Sequence, residues 1–541
     1  TTAIRTVTTS SNPTEYVIKD ELDAVIRAMD ILDILDIESF TGDVDLSVLA
    51  QGDNAQDVLE SSVIQATVSE QLINLDTDGT ITVPYVASDD ATSVRFTVGS
   101  TGNNTDTDYV LGAEIESLID ALDILGITDV TSFDGNITLT DFYDETNRNT
   151  LLASHVMHAT MSRQVLDLGA ATLVVPQDDV SGNTVRLTTT SSTIENTEYV
   201  VEDELHAMVE ALEVLGFTEI DDFTGSVDLT NVYEDQGDDT NQNTLLSSAS
   251  MHATITQQIE DTLGPSILTV PDNDADDNVV RTAQTFAGET NTLNFITKDE
   301  IKALINSMEV MGIEDITDYS GGFTLDDFST ETEQDTLLSS ASIHKTFSDE
   351  LTGLGTEILI VPNTEEDGTT PVRVTNTDAA EFVVKDEIKA LINAFDTMGY
   401  TDLDSFGTTI DSSKFFTSKE TLLLSSSIQA TVSEKLLNDT GNALLVPDQD
   451  ISGNAVRLLS DTYIESGELT DLLDGLELLG LTDFGTMSFT PTTVFSADFN
   501  TVLQSASLHV TISDTILDTA KEDQSSAAVG DLIVPIALQE S

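Results

Sequence analysis

Residues 297–312 read TKDEIKALINSMEVMG, a complete helix with its start and stop written in. Thr297 and Glu300 have the S/T-x-x-E spacing of a capping box, which satisfies free amide donors at a helix start. Ile301, Leu304, Ile305, Met308 and Met311 then fall on one helical face. Gly312 stands where a residue of positive φ closes a helix. The same acidic start recurs at Glu21, Glu114, Glu204, Glu387 and Glu468, so one unit of roughly 90 residues comes round six times. Gly126, Gly216, Gly399 and Gly480 lie at the same distance from their own glutamate. Asp33 takes that place in the first unit, where the helix is expected to run on or end differently.

Working outward, a Val-Pro dipeptide closes an apolar run at Pro84, Pro176, Pro271, Pro362, Pro447 and Pro535. Runs such as Ile358-Leu359-Ile360-Val361 read as buried strands. An arginine follows in a short β-prone run at Arg5, Arg95, Arg186, Arg281, Arg373 and Arg457. Between helices, Phe133 to Leu139 and Phe223 to Leu229 alternate as a short strand would. A second helix is expected over stretches such as Leu245 to Ile255. The unit is thus β-α-(short β)-α-β, an α+β fold. Gly182-Asn183 and Gly453-Asn454 supply hairpin chemistry between units. Six tandem repeats, 1–86, 87–178, 179–273, 274–364, 365–449 and 450–541, are therefore expected to join by hairpins into an elongated rod or filament.

The chain of 541 residues carries 19 Lys+Arg against 98 Asp+Glu, a formal charge of -79. Charge of that sign and size repels nucleic acid and anionic lipid, whose binding needs clustered cations. It costs self-repulsion on folding, which high salt screens and bound divalent cations neutralise. Regular apolar spacing and 39% hydrophobic content argue against disorder, the other reading of so acidic a chain. There is no cysteine, hence neither a disulfide nor a thiolate metal site. No run of 18 apolar residues is present, so no membrane insertion is expected. Thr1 opens the sequence without a signal-peptide pattern, as expected of a processed form or a segment of something longer.

Two acidic turns invite a calcium reading. Asp272, Asp274 and Asp276 place carboxylates at alternate positions, and Asp448 and Asp450 begin the same way, as in the first half of a calcium loop. The twelfth position from Asp272 is Ala283, where an EF-hand needs a bidentate Glu, so an EF-hand is excluded. Calcium stays the candidate cofactor, against a plain solvated turn. The six arginines point to a carboxylate or carbonyl partner inside the fold, pinning the hairpin to a helix end.

His158, His252, His344 and His509 share one place in the second helix, which Gln65 and Gln429 take in the other two units. Glutamine replaces a neutral histidine as a hydrogen-bonding group but not as a base, so a structural role is expected. His155 beside His158 could share a metal, in one unit only. Serines at 61, 154, 248, 340, 425 and 505, each with a threonine six residues on, are expected as helix packing. Neither a nucleophile elbow nor a glycine-rich phosphate loop is present, so no enzyme is expected.

In its organisation the chain resembles the tandem-repeat stalks of large bacterial surface proteins and adhesins, over all six units. The resemblance implies an extracellular or cell-surface structural protein, a rod, stalk or filament. The alternative is a multivalent adhesin-type binding array with calcium-dependent rigidity. At the ends, the run with Ile4, Arg5 and Val7 and the run with Leu532, Ile533 and Val534 are expected as unpaired strands. Pairing of one with the other in a second molecule would give head-to-tail self-association. Continuation into further repeats is the alternative use of the same ends.

Overall fold

A computed structural model describes residues 4–7, 15–42, 44–98, 107–135, 137–189, 196–233, 239–285, 292–403, 406, 413–438, 444–458, 463–481 and 498–523. Leu532, Ile533 and Val534 lie outside the described residues. Helix takes 53% and strand 12%, so helices build the core and the sheets are two-stranded antiparallel ribbons. The chain divides into two compact units. One holds Thr1–Thr262, Thr282–Lys298 and Ile313–Asp318; the other holds Leu263–Arg281, Asp299–Gly312 and Tyr319–Ser541.

In the first unit the leading helices are Lys19–Ile31, Gly112–Ile124 and Glu202–Val214. The second of these buries Ile115, Leu118, Ile119 and Leu122 against helices Glu145–Ala153 and His155–Asp167. In the second unit Lys385–Met398 buries Ile388, Leu391, Ile392 and Phe395 against Ser413–Leu422 and Ser426–Asn438. Each such side chain contributes about 1.5–3 kcal/mol on burial. A trailing helix follows each leading one, at Ser62–Thr77, His155–Asp167, Ala249–Gln257, Ala341–Gly353, Ser426–Asn438 and Ala506–Asp523.

The leading helices end alike. Gly126, Gly216, Gly312, Gly399 and Gly480 take φ between 67° and 81°, and Asp33 takes 54°. The amides of Ile34, Ile127 and Phe217 reach back to Met29, Leu122 and Leu212, the long bond of a Schellman closure. The expectation of a different ending at Asp33 is therefore corrected: aspartate tolerates the left-handed region that glycine enters freely. Asp33→Gly should raise stability by about 1 kcal/mol, read as a higher urea midpoint; an unchanged or lower midpoint would refute the strain.

Four further expectations need correction. Among the described residues the Val-Pro runs are not strands: residues 82–84 and 359–362 have no ladder partner, and a threonine side chain takes an amide of each instead, as described below. The arginine-bearing run pairs with the run just before the leading helix, a strand the sequence reading missed. Arg5–Val7 lies antiparallel to Glu15–Val17 in the register Arg5↔Val17, and Arg186–Thr188 to Glu198–Val200 likewise. Ile4, Arg5 and Val7 thus belong to a ribbon whose partner is in the same chain, with Ile18 N–H donating to the Ile4 carbonyl. The short alternating run forms single bridges, Thr138↔Glu219 and Thr324↔Asp402, next to 3-10 turns rather than a strand. Finally, the helix expected over Leu245 to Ile255 is broken. Thr240–Leu245 stops, and Ser248 caps a new helix by accepting from Met251 N–H.

Candidate functional site

The break at Ser248 exposes amides that need partners; a buried carboxylate takes two of them and the Ser248 hydroxyl a third. Glu204, 6% exposed, accepts from Ser248 Oγ at 2.7 Å and from the amides of Ala249 and Ser250 at 2.9 and 2.8 Å. The arrangement recurs at matching positions. Glu21 meets Ser61 and Val63, Glu114 meets Ser154 and Val156, and Glu300 meets Ser340, Ala341 and Ser342. Glu387 meets Ser425, Ser426 and Ser427, and Glu468 meets Ser505, Ala506 and Ser507. A helix N-terminus is a natural seat for a buried anion. Burial still pushes the Glu114 carboxyl up, against the bonds from Val156 and Ser154.

The trailing helix then grips the ribbon that follows it in sequence. Gln65 Nε2 donates to the Val110 carbonyl at 2.9 Å while Ser69 Oγ accepts from Val110 N–H at 3.0 Å. Both backbone groups of one residue are thus held by side chains four apart on a helix. His158 and Ser162 hold Val200 in the same way, His252 and Thr256 hold Ile296, and His344 and Ser348 hold Val383. Gln429 and Ser433 hold Ile464. Because a carbonyl accepts, the histidines must donate from Nε2, and Gln65 and Gln429 show that a neutral donor suffices. Burial lowers the pKa of all three, His344 to about 4.

The recurring threonine closes the joint from the other side. Thr160 Oγ1 accepts from Thr82 N–H, Thr254 from Val174, Thr346 from Thr269, Thr431 from Ile360 and Thr511 from Leu445, at 2.8–2.9 Å. Each donor lies two residues before a Val-Pro proline. Packing therefore describes these hydroxyls incompletely: the serines cap and bind a carboxylate, and the threonines accept a linker amide.

The six arginines meet acceptors at the turn more often than at a helix end. Arg281 pairs with Asp272 through Nε at 2.9 Å and an Nη at 2.5 Å. Arg186 faces the Gln177 amide oxygen at 2.9 and 3.1 Å, and Arg373 meets Asn363 and Glu381. Arg457 lies 3.8 Å from Asp448 and Arg5 3.4 Å from Glu15. Arg95 alone reaches a helix, bonding Asp76 at 3.0 Å while stacking over Tyr85.

The carboxylates proposed for calcium have neighbours of their own. Asp272 and Asp448 face Arg281 and Arg457. Asp274 accepts from Asp276 N–H and from the amide and side chain of Asn278, which closes the turn locally. Asp450 does the same with Ser452 and Asn454, and the Asn454 side chain leads in holding its pKa below the usual carboxylate range. Among the described residues no group of three His, Asp or Glu is placed to hold a metal ion.

An open cleft of about 320 Å³ is lined by Asp76, Tyr85, Arg95, Arg163 and Glu198 among others. Its guanidinium groups are already spent on Asp76 and on the carbonyls of Ile81 and Gly79. No protein-family model, curated protein or solved structure matches the chain. What sequence reading missed is the pairing of landmarks. The recurring glutamate and serine stand 37–44 residues apart at the six places, and that similar offset was the available signal.

Proposed function

We propose that the chain is a structural array of six like units, with an elongated rod, stalk or filament as its form and the extracellular or cell-surface space as its place. The observation that carries this reading is the two-point grip of a trailing helix on one residue of the next ribbon, repeated at five consecutive joints. A joint that fixes both backbone groups of its partner residue resists sliding and rotation, as a spacer requires. Each grip joins one unit to the next, the nearest-neighbour coupling on which quasi-one-dimensional arrays are built. The acidity fits a solvated, weakly adhesive surface. Small-angle scattering on the full chain should give a maximum dimension several times its cross-section, and electron micrographs should show rods. A near-spherical particle would overturn the reading.

A further inference from the structure

The first leading helix and the ribbon before it present an apolar face that its counterparts hide. Leu22 and Ile26 are 46% and 58% exposed. At the same two distances from their glutamates, Leu205 and Val209, or Ile388 and Ile392, are at most 2% exposed. Val17, 40% exposed, stands where Val200 and Val383 are fully buried. Internally, the preceding trailing helix covers the ribbon part of this face, its His or Gln and Ser or Thr gripping the valine or isoleucine, and the short helix before it meets the leading helix.

The last trailing helix carries the other half. His509 and Ser513 occupy the gripping positions, and among the described residues no ribbon meets them. The only side-chain bond described for the pair is Ser513 donating to the His509 carbonyl. Ile516, seven residues after His509, is 41% exposed, whereas Val165 and Leu351 at that place are fully buried. Thr67 completes the first face: its Oγ1 donates to Val63 but accepts no linker amide among the described residues, unlike Thr160, Thr254, Thr346, Thr431 and Thr511.

We propose that these two faces take each other in a second copy of the chain. His509 and Ser513 of one molecule grip Val17 of the next, and the same contact covers Ile516 on one face and Leu22 and Ile26 on the other. This rests on the reading of the chain as like units, because the contact copies a joint made five times within it. It replaces the expected pairing of terminal strands with a helix-on-ribbon joint. The contact is heterologous, so each added molecule presents a further face for the next. Two chains of charge -79 repel one another, so association should strengthen with sodium chloride as screening shortens the field.

The test is sedimentation equilibrium on the full chain over a range of concentration and salt. The wild type should show a mass that grows with both, through dimer and beyond. Leu22→Asp/Ile26→Asp and Ile516→Asp each remove one face at exposed positions, and each variant alone should remain monomeric. Their equimolar mixture should stop at a dimer, since only one pair of intact faces remains. A wild type that stays monomeric throughout would overturn the proposal and leave the faces to another occupant, a further repeat included. Variants that associate like the wild type would also overturn it. Leu205→Asp, at the internal equivalent of Leu22, separates the two readings. If it melts like the wild type, the reading as like units itself fails; if it is destabilised while the wild type stays monomeric, only the docking of ends fails.

Discussion

Replacing Glu204 by alanine should lower the stability of the first unit by about 3–5 kcal/mol. Glu204 is buried among the Ser248 hydroxyl and the amides of Ala249 and Ser250. Its removal strands donors that water cannot reach, each worth about 1–3 kcal/mol when left unmade. The favourable alignment of a negative charge with the helix dipole is lost as well. Glu204→Gln keeps the shape but turns an amide donor toward amide donors, so it should recover only part of the loss. Ser248→Ala, which removes the cap, should cost about 1–2 kcal/mol. Asp203→Ala, exposed on the same turn, should stay within about 0.5 kcal/mol. Urea unfolding of the full chain, followed by far-ultraviolet circular dichroism, measures all four. A Glu204→Ala midpoint indistinguishable from that of Asp203→Ala would show that the carboxylate does not hold the helix start.

The leading helices and their glycine stops were legible in sequence because each depends on residues within about four positions of one another. The structural role of the histidines was legible for a different reason: Gln65 and Gln429 at the same place exclude any chemistry glutamine cannot perform. The Val-Pro runs misled because an apolar, β-prone run reads the same whether its amide meets another strand or a side chain. Here Thr346 takes the Thr269 amide, and no ladder forms. The second strand of each ribbon was missed because it is three to five residues long and abuts the leading helix, as Glu198–Val200 abuts Glu202–Val214. The glutamate was read as a local helix signal, yet its carboxylate serves another helix about 40 residues on. Local pattern has no access to such a pairing unless two recurring landmarks are compared for similar separation.

The second large effect is a loss of stability in mild acid at a buried histidine. His344 donates Nε2–H to the Val383 carbonyl at 2.7 Å and packs against the Phe382 ring. Burial is the main cause of its lowered pKa, about 4, with Lys385 acting in the same direction and Asp274 and Asp276 against it. In the unfolded chain the ring takes up a proton near pH 6.5. Between those values the unfolded state binds more protons than the folded one, so stability rises with pH and falls as pH drops through the window. The loss at this one histidine should reach about 2 kcal/mol by pH 5. A carboxyl that the fold pushes up, such as Glu114, acts in the opposite sense, so the histidine's part is read from the difference between wild type and a variant. His158 and His252 shift in the same direction and should add to the effect. His344→Gln should preserve the joint, because Gln65 makes the same bond to Val110 at 2.9 Å, and should remove this part of the pH dependence. Urea midpoints of the second unit in wild type and variant should therefore diverge below pH 6.5, with the wild type the less stable relative to its own value at pH 7. Parallel pH profiles for the two chains would mean that the ring accepts its proton without disturbing the grip on Val383.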